Sequence, residues 1–180
     1  MALTSLDRAR RIRLILLDVD GVLTDGKIQV HADGTESKQF DIKDGTGVVL
    51  AQRAGIRVGL LSARQSASTT ERAAQLRITI VRQGALDKLA EYDAIRAELG
   101  LADDEVAYMG DDLLDLPVLG RVGLATAPAD AVPDVRAAAH WVSRQRGGDG
   151  AVRELAEMVL RAQDRWAALV AEWTPARTET

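Results

Sequence analysis

A chain of 180 residues with 47% hydrophobic and 28% charged side chains has the make-up of one folded domain, which excludes global disorder. Its net charge of −4 lacks the positive field that nucleic-acid binding needs, and no apolar run reaches the roughly 18 residues of a membrane span, so neither partner is expected. With no cysteine there is no disulfide, thiol nucleophile or thiolate metal site, and any metal must be held by oxygen or by the two histidines.

The Arg-rich start leads into a short apolar run and then directly into Asp18, with no small-residue cleavage site, which reads as a cytoplasmic chain. That run predicts a first strand at 12–17. Residues 27–42 carry β-type runs on both sides of Asp33-Gly34, a turn dipeptide that predicts a projecting hairpin, free at its edge to meet another subunit. Further strands are predicted at 57–61, 78–81, 105–109, 122–125 and 140–142, alternating with helical spacing at 47–54, 66–75, 86–99, 113–119 and 151–173. Gly100 stands where a left-handed residue would end the third of these helices. Strand and helix in alternation predict an α/β fold with a parallel sheet and helices on both faces. Residues 174–180 read as a disordered tail, leaving one domain with a core of about 12–173.

The chemistry gathers where strands end. The run LILLDVDG delivers Asp18 and Asp20 to the carboxyl end of the first strand, the edge at which open α/β sheets bind ligands. Residues two apart on an extended chain point the same way, and two converging carboxylates call for a cation or a shared proton. Gly21 allows a tight turn with free backbone amides. The strand ending at Met109 runs into Gly110, Asp111, Asp112 and, after a turn, Asp115. One of these acids can cap the next helix, but not all three, and the oxygen donors suit a hard cation, most simply Mg²⁺. Ser62 follows another strand, and Lys88 opens a helix. Alone, Ser62 reads as a cap and Lys88 as a solvated cation; together with the acids they make a set for phosphoryl transfer. His31 reads as a hairpin-surface residue and His140 as structural.

DVDGVLT, LLSAR, Lys88 and GDDLLD together resemble the four motifs of the haloacid dehalogenase superfamily of phosphatases. More narrowly, DVDGVLTDGKI, FDIKDGTG, QGALDK, YMGDDLLDLPVL and GGDGAVRE are similar to the 3-deoxy-D-manno-octulosonate 8-phosphate phosphatase group, over roughly residues 12–160. The resemblance implies a capless, Rossmann-like domain, dependence on Mg²⁺, a homotetramer built by the hairpin, and a place in the supply of lipopolysaccharide precursors. It implies that Asp18 is the nucleophile that forms an aspartyl-phosphate and that Asp20 is the general acid and then the base. Mg²⁺ would be held by Asp18, the backbone carbonyl of Asp20 and Asp111, with Asp112 and Asp115 ordering its surroundings. Ser62 and Lys88 would hold the phosphoryl oxygens, and Asp41, Lys43, Asp44, Gly45, Arg64 and Arg72 would surround the phosphorylated sugar acid.

Three features depart from that pattern. Motif two reads SAR where many relatives have TGR, Val49 stands where relatives often carry a basic residue, and Asp149 stands where an Arg is common. The last two remove positive charge near the expected pocket, which keeps nine-carbon ulosonate 9-phosphates of the sialic-acid type as an alternative substrate. In relatives the Gly-rich stretch 147–150 can close a neighbouring subunit's site. A signalling receiver domain uses the same residue types, but its paired acids follow the first strand and its phosphoacceptor a middle one, whereas here DVDG comes first and GDDLLD late. A non-catalytic oligomeric binding module is the third reading, although every expected catalytic position is filled.

Overall fold

The computed structural model describes residues 3–174, so the expected tail lies, apart from Thr174, outside the described residues. A short helix α1 (Ser5–Ala9) precedes the central strand β1 (Leu14–Leu17). All four residues of β1 are buried, and they alternate between the two sides of the sheet: Ile15 and Leu17 enter one hydrophobic cluster, Leu14 and Leu16 the other. A strand apolar on both faces belongs at the middle of a parallel sheet.

Two short strands follow, β2 (Gln29–Val30) and β3 (Glu36–Ser37), paired antiparallel across Asp33-Gly34. They are much shorter than the segment 27–42, and Val30 is 72% exposed. The remaining elements are α2 (Ile42–Arg53), β4 (Arg57–Leu61), α3 (Ala67–Gln75), β5 (Ile80–Arg82), α4 (Lys88–Leu99), β6 (Val106–Met109), α5 (Leu116–Leu119), β7 (Leu124–Ala127), α6 (Pro133–Ala138), β8 (Trp141–Val142), α7 (Ala151–Ala162) and α8 (Trp166–Ala171). Gly100 ends α4 in the left-handed conformation.

The six-stranded sheet has the order β5-β4-β1-β6-β7-β8, and every pairing in it is parallel. Side chains of α1, α2, α3, α7 and α8 fill one cluster and those of α4, α5 and α6 the other, so helices cover both faces. The chain leaves β1 toward β4 and β5, then returns to place β6 on the other side of β1. That reversal makes the carboxyl end of β1 a topological switch point, where the loops part to leave a crevice.

The expected helix over 151–173 is two helices. Its apolar spacing is continuous, but Gln163 Nε2 donates to the carbonyls of Ala9 and Ile12, and Asp164 takes φ +56°, which turns the chain before α8. Helix α2 starts five residues earlier than expected from 47–54, because Asp41 accepts from the backbone amides of Lys43 and Asp44 and caps its N-terminus.

Candidate active site

Strand register puts the chemistry at one level. Leu17 pairs with Leu60 on one side and Met109 on the other, so the residues that follow these strands emerge together. The Asp18 amide donates to the Met109 carbonyl, and the Ser62 amide to the Arg82 carbonyl, which extends the ladder to the edge. Asp18, Asp20, Ser62, Arg64, Lys88 and Asp111 line a cavity of about 250 Å³ there.

Lys88 is buried at the centre. Its Nζ lies 3.0 Å from Asp18 Oδ2 and 2.6 Å from Asp115 Oδ1, and it donates to the Tyr108 hydroxyl at 3.2 Å. Asp115 accepts four bonds: Lys88 and the Tyr108 hydroxyl donate to Oδ1, and the backbone amides of Asp111 and Asp112 donate to Oδ2. A carboxylate so fully engaged holds its neighbours in place. Asp112 caps the turn Leu113–Asp115, accepting from the Leu113 amide, and stays exposed.

The carboxyl groups of Asp18, Asp111 and Asp115 each bring an oxygen within 4.8 Å of the others. Burial pushes Asp18 up to about 6 against the opposing pull of Lys88, and burial together with Asp18, Asp115 and Asp112 pushes Asp111 up to about 8. Burial alone would lower Lys88, but Asp18 and Asp115 outweigh it and raise the ammonium above its ordinary value. Three acids facing one ammonium make a site with surplus negative charge and hard oxygen donors, which fits a divalent cation such as Mg²⁺. Asp18 and Asp111 have carboxylate oxygens to offer it.

Gly21 is required beside this cluster. It has φ +89°, and a Cβ there would lie 2.0 Å from Asp111 Oδ2. The following loop is packed by residues far along the chain: the Gly148 amide donates to the Val22 carbonyl, and a Cβ on Gly147 would fall 1.8 Å from the Gly21 carbonyl oxygen. The segment 147–148 thus packs on the first-motif loop of its own chain.

Asp20 sits at the cavity rim, outside the Asp18–Asp111–Asp115 cluster. Its carboxylate lies 2.7 Å and 2.9 Å from Lys38 Nζ, and Arg64 Nε stands 3.7 Å away. Arg64 also donates to Glu36 at 2.9 Å, and its side chain is half exposed. Lys38 was not anticipated: it belongs to a hairpin whose sequence gives no hint of which way it folds back.

Several expected substrate contacts lie elsewhere in this chain. Asp44 is fully buried, and its carboxylate accepts from the amides of Gly150 and Arg153 at the start of α7; it joins two helices and has no surface to offer a substrate. Gly45 packs under Arg72, and Arg72 donates to the Asp41 carbonyl and lies over the Phe40 ring, so these residues anchor the start of α2. Lys43 lines a separate cavity with Arg144 and Asp149. Val49 borders a larger cavity of about 870 Å³ lined by Arg53, Arg57 and Arg77, which contains none of the clustered acids. His140 Nδ1 accepts from the Ala125 amide, a structural role, and His31 bonds to Ser37 within the hairpin.

Residues 61–155 match the family model of the haloacid dehalogenase-like hydrolases. The chain is 43% identical over 160 residues to the 3-deoxy-D-manno-octulosonate 8-phosphate phosphatase KdsC of Yersinia pestis, covering 89% of this chain and 86% of that protein. Among solved structures it is similar to the 3-deoxy-D-manno-octulosonate 8-phosphate phosphatase of Moraxella catarrhalis in complex with magnesium ion, phosphate ion and KDO, with a TM-score of 0.93, 35% identity and coverage of 94% and 98% of the two chains. It is also similar to the cobalt-bound deoxy-D-mannose-octulosonate 8-phosphate phosphatase of Haemophilus influenzae, with a TM-score of 0.85, 37% identity and coverage of 87% and 92%. On this likeness, and with the acids, hydroxyl and lysine of its four motifs at one sheet edge, the chain belongs to the haloacid dehalogenase-like hydrolases, and within them to the 3-deoxy-D-manno-octulosonate 8-phosphate phosphatase family.

Proposed function

We propose that the protein is a Mg²⁺-dependent phosphatase that hydrolyses 3-deoxy-D-manno-octulosonate 8-phosphate through an aspartyl-phosphate. The observation that carries this reading is the single cavity onto which Asp18, Ser62, Lys88 and Asp111 open together. Asp18 attacks phosphorus: its carboxylate oxygen forms a bond to phosphorus as the bond to the sugar oxygen breaks, and Asp20 gives that oxygen its proton. Asp20 then takes a proton from the water that attacks the aspartyl-phosphate, which frees Asp18 and releases phosphate. Lys88 and the Ser62 hydroxyl face the transferring oxygens, while Asp115 and Tyr108 keep the ammonium aimed at Asp18. When bound, Mg²⁺ held by Asp18, Asp111 and the Asp20 carbonyl supplies positive charge to the phosphoryl group. Arg64, half exposed at the rim, is placed to pair with the substrate's carboxylate.

The chain acts as one capless domain, and the exposed β2–β3 hairpin docks on other copies to make a homotetramer in the cytoplasm. Among the described residues no helix is long and apolar enough to cross a membrane. Phosphate release with and without Mg²⁺, from the eight-carbon 8-phosphate, a nine-carbon ulosonate 9-phosphate and a hexose phosphate, tests the function. Mg²⁺-dependent preference for the eight-carbon acid is expected; preference for either other substrate overturns the specificity. Light scattering tests the assembly, and a monomer would end that part of the proposal.

A further inference from the structure

Lys38 is an unusual lysine. Its side chain is completely buried, although it arises beside β3 of the exposed hairpin, and it reaches Asp20 at 2.7 Å, Thr69 Oγ1 at 3.5 Å and Glu36 at 3.9 Å. Arg64 bridges the same two carboxylates from the solvent side, 2.9 Å from Glu36 and 3.7 Å from Asp20, with half of its own side chain exposed. Two cations and two carboxyl groups therefore meet at the rim of the cavity. They are not equivalent: Arg64 can turn toward a substrate, whereas Lys38 is enclosed and can only stay.

We propose that Lys38 is the positioning residue of the general acid–base Asp20, fixing its carboxyl group at the cavity rim and facing the charge it acquires when its proton passes to the leaving sugar oxygen. This inference rests on the acid–base role of Asp20 proposed above. As the phosphorus–oxygen ester bond breaks, negative charge that would collect on the sugar oxygen is moved by the proton onto Asp20, where the ammonium of Lys38 already lies. When Arg64 engages the substrate, Lys38 remains as the partner that keeps Asp20 from rotating away. The hairpin thus supplies a residue to the catalytic apparatus while its tip stays outside.

The leaving group separates this role from a merely structural one. A sugar alkoxide needs a proton to depart, whereas the nitrophenolate of p-nitrophenyl phosphate does not. Lys38→Met is expected to lower kcat on the eight-carbon sugar-acid phosphate about 100-fold, the scale of a misplaced acid–base group, with KM and the Mg²⁺ concentration for half-maximal activity little changed. With p-nitrophenyl phosphate the variant should still release a rapid burst of one nitrophenol per active site, followed by slow turnover, because aspartyl-phosphate formation no longer needs Asp20 but its hydrolysis does. Lys38→Arg, which keeps the charge, should recover most of the loss. Lys38→Gln carries the same comparison if the methionine variant does not fold. Equal losses on both substrates with no burst, or full activity in Lys38→Met, overturn the positioning role. Undiminished sugar-phosphate turnover in Asp20→Asn would instead overturn the reading of Asp20 itself.

Discussion

Asp18 and Asp44 look alike by one measure and opposite by every other. Both are buried aspartates, each pushed up to about 6 chiefly by desolvation. Around Asp18 stand Lys88, Asp111 and Asp115 beside an open cavity that Asp18 lines; around Asp44 stand the backbone amides of Gly150 and Arg153, and Asp44 itself has no exposed surface. Burial shifts a carboxyl group in either place. What distinguishes a reaction centre is the convergence of opposed charges on accessible space, whereas a carboxylate answered by helix amides is a joint between elements.

The sharpest way to break that comparison is to replace each acid by its neutral isostere. Asp18→Asn should abolish phosphate release, a loss on the order of 10⁴-fold or more, as expected when a nucleophile is removed. The variant should remain folded, and retention of Mg²⁺-dependent turnover would remove Asp18 from the mechanism. Asp115→Asn should act one step back. Its amide cannot accept from Lys88 and Tyr108 on one side and two backbone amides on the other, so Asp111 and Lys88 lose their alignment. The Mg²⁺ concentration for half-maximal activity should rise about 10–100-fold, as for other residues that hold metal ligands. Thermal unfolding should also show a loss of about 3–5 kcal/mol from breaking a buried ion pair. An unchanged Mg²⁺ requirement would reduce Asp115 to a purely structural residue.

How much of this could be read in the sequence depends on how local each cause is. Asp18, Ser62 and Asp111 were legible because an apolar run ends directly before the first two and one glycine before the third, and in a parallel sheet with aligned strand ends that is enough to bring them together. Lys88 was legible from its place at a helix start, although its enclosure by Tyr108 and Asp115 was not. Lys38 escaped because its partner Asp20 lies 18 residues back, across a hairpin whose fold-back direction no local pattern sets. Asp44 came to the substrate only through the family resemblance, and no local pattern tells of its burial, because the amides that hold it lie 106 and 109 residues away. The break between α7 and α8 was hidden because the apolar spacing runs on unbroken, while contacts from Gln163 to the first segment of the chain decide the turn.

The smallest expected effect belongs to Asp44, and it is read in stability rather than in rate. With its folded value near 6 and an ordinary value of 3.8, Asp44 holds a proton in the folded chain over a range where the unfolded chain has lost it. The folded state therefore binds more protons, and the contribution of this group to stability falls as pH rises from about 4 to 6, by at most roughly 3 kcal/mol. Asp44→Asn removes that slope. At pH 7 the amide is spared the cost of a buried charge, but its carbonyl can accept from only one side and its NH₂ faces an N–H donor, so the two changes offset to within about 1 kcal/mol. Denaturant unfolding at a series of pH values should show a smaller decline in the variant than in the wild type, the remainder belonging to Asp18 and Asp111, with kcat unchanged. A decline of the same size in both proteins would mean that Asp44 is ionised throughout the range, and a fall in kcat would return it to the substrate.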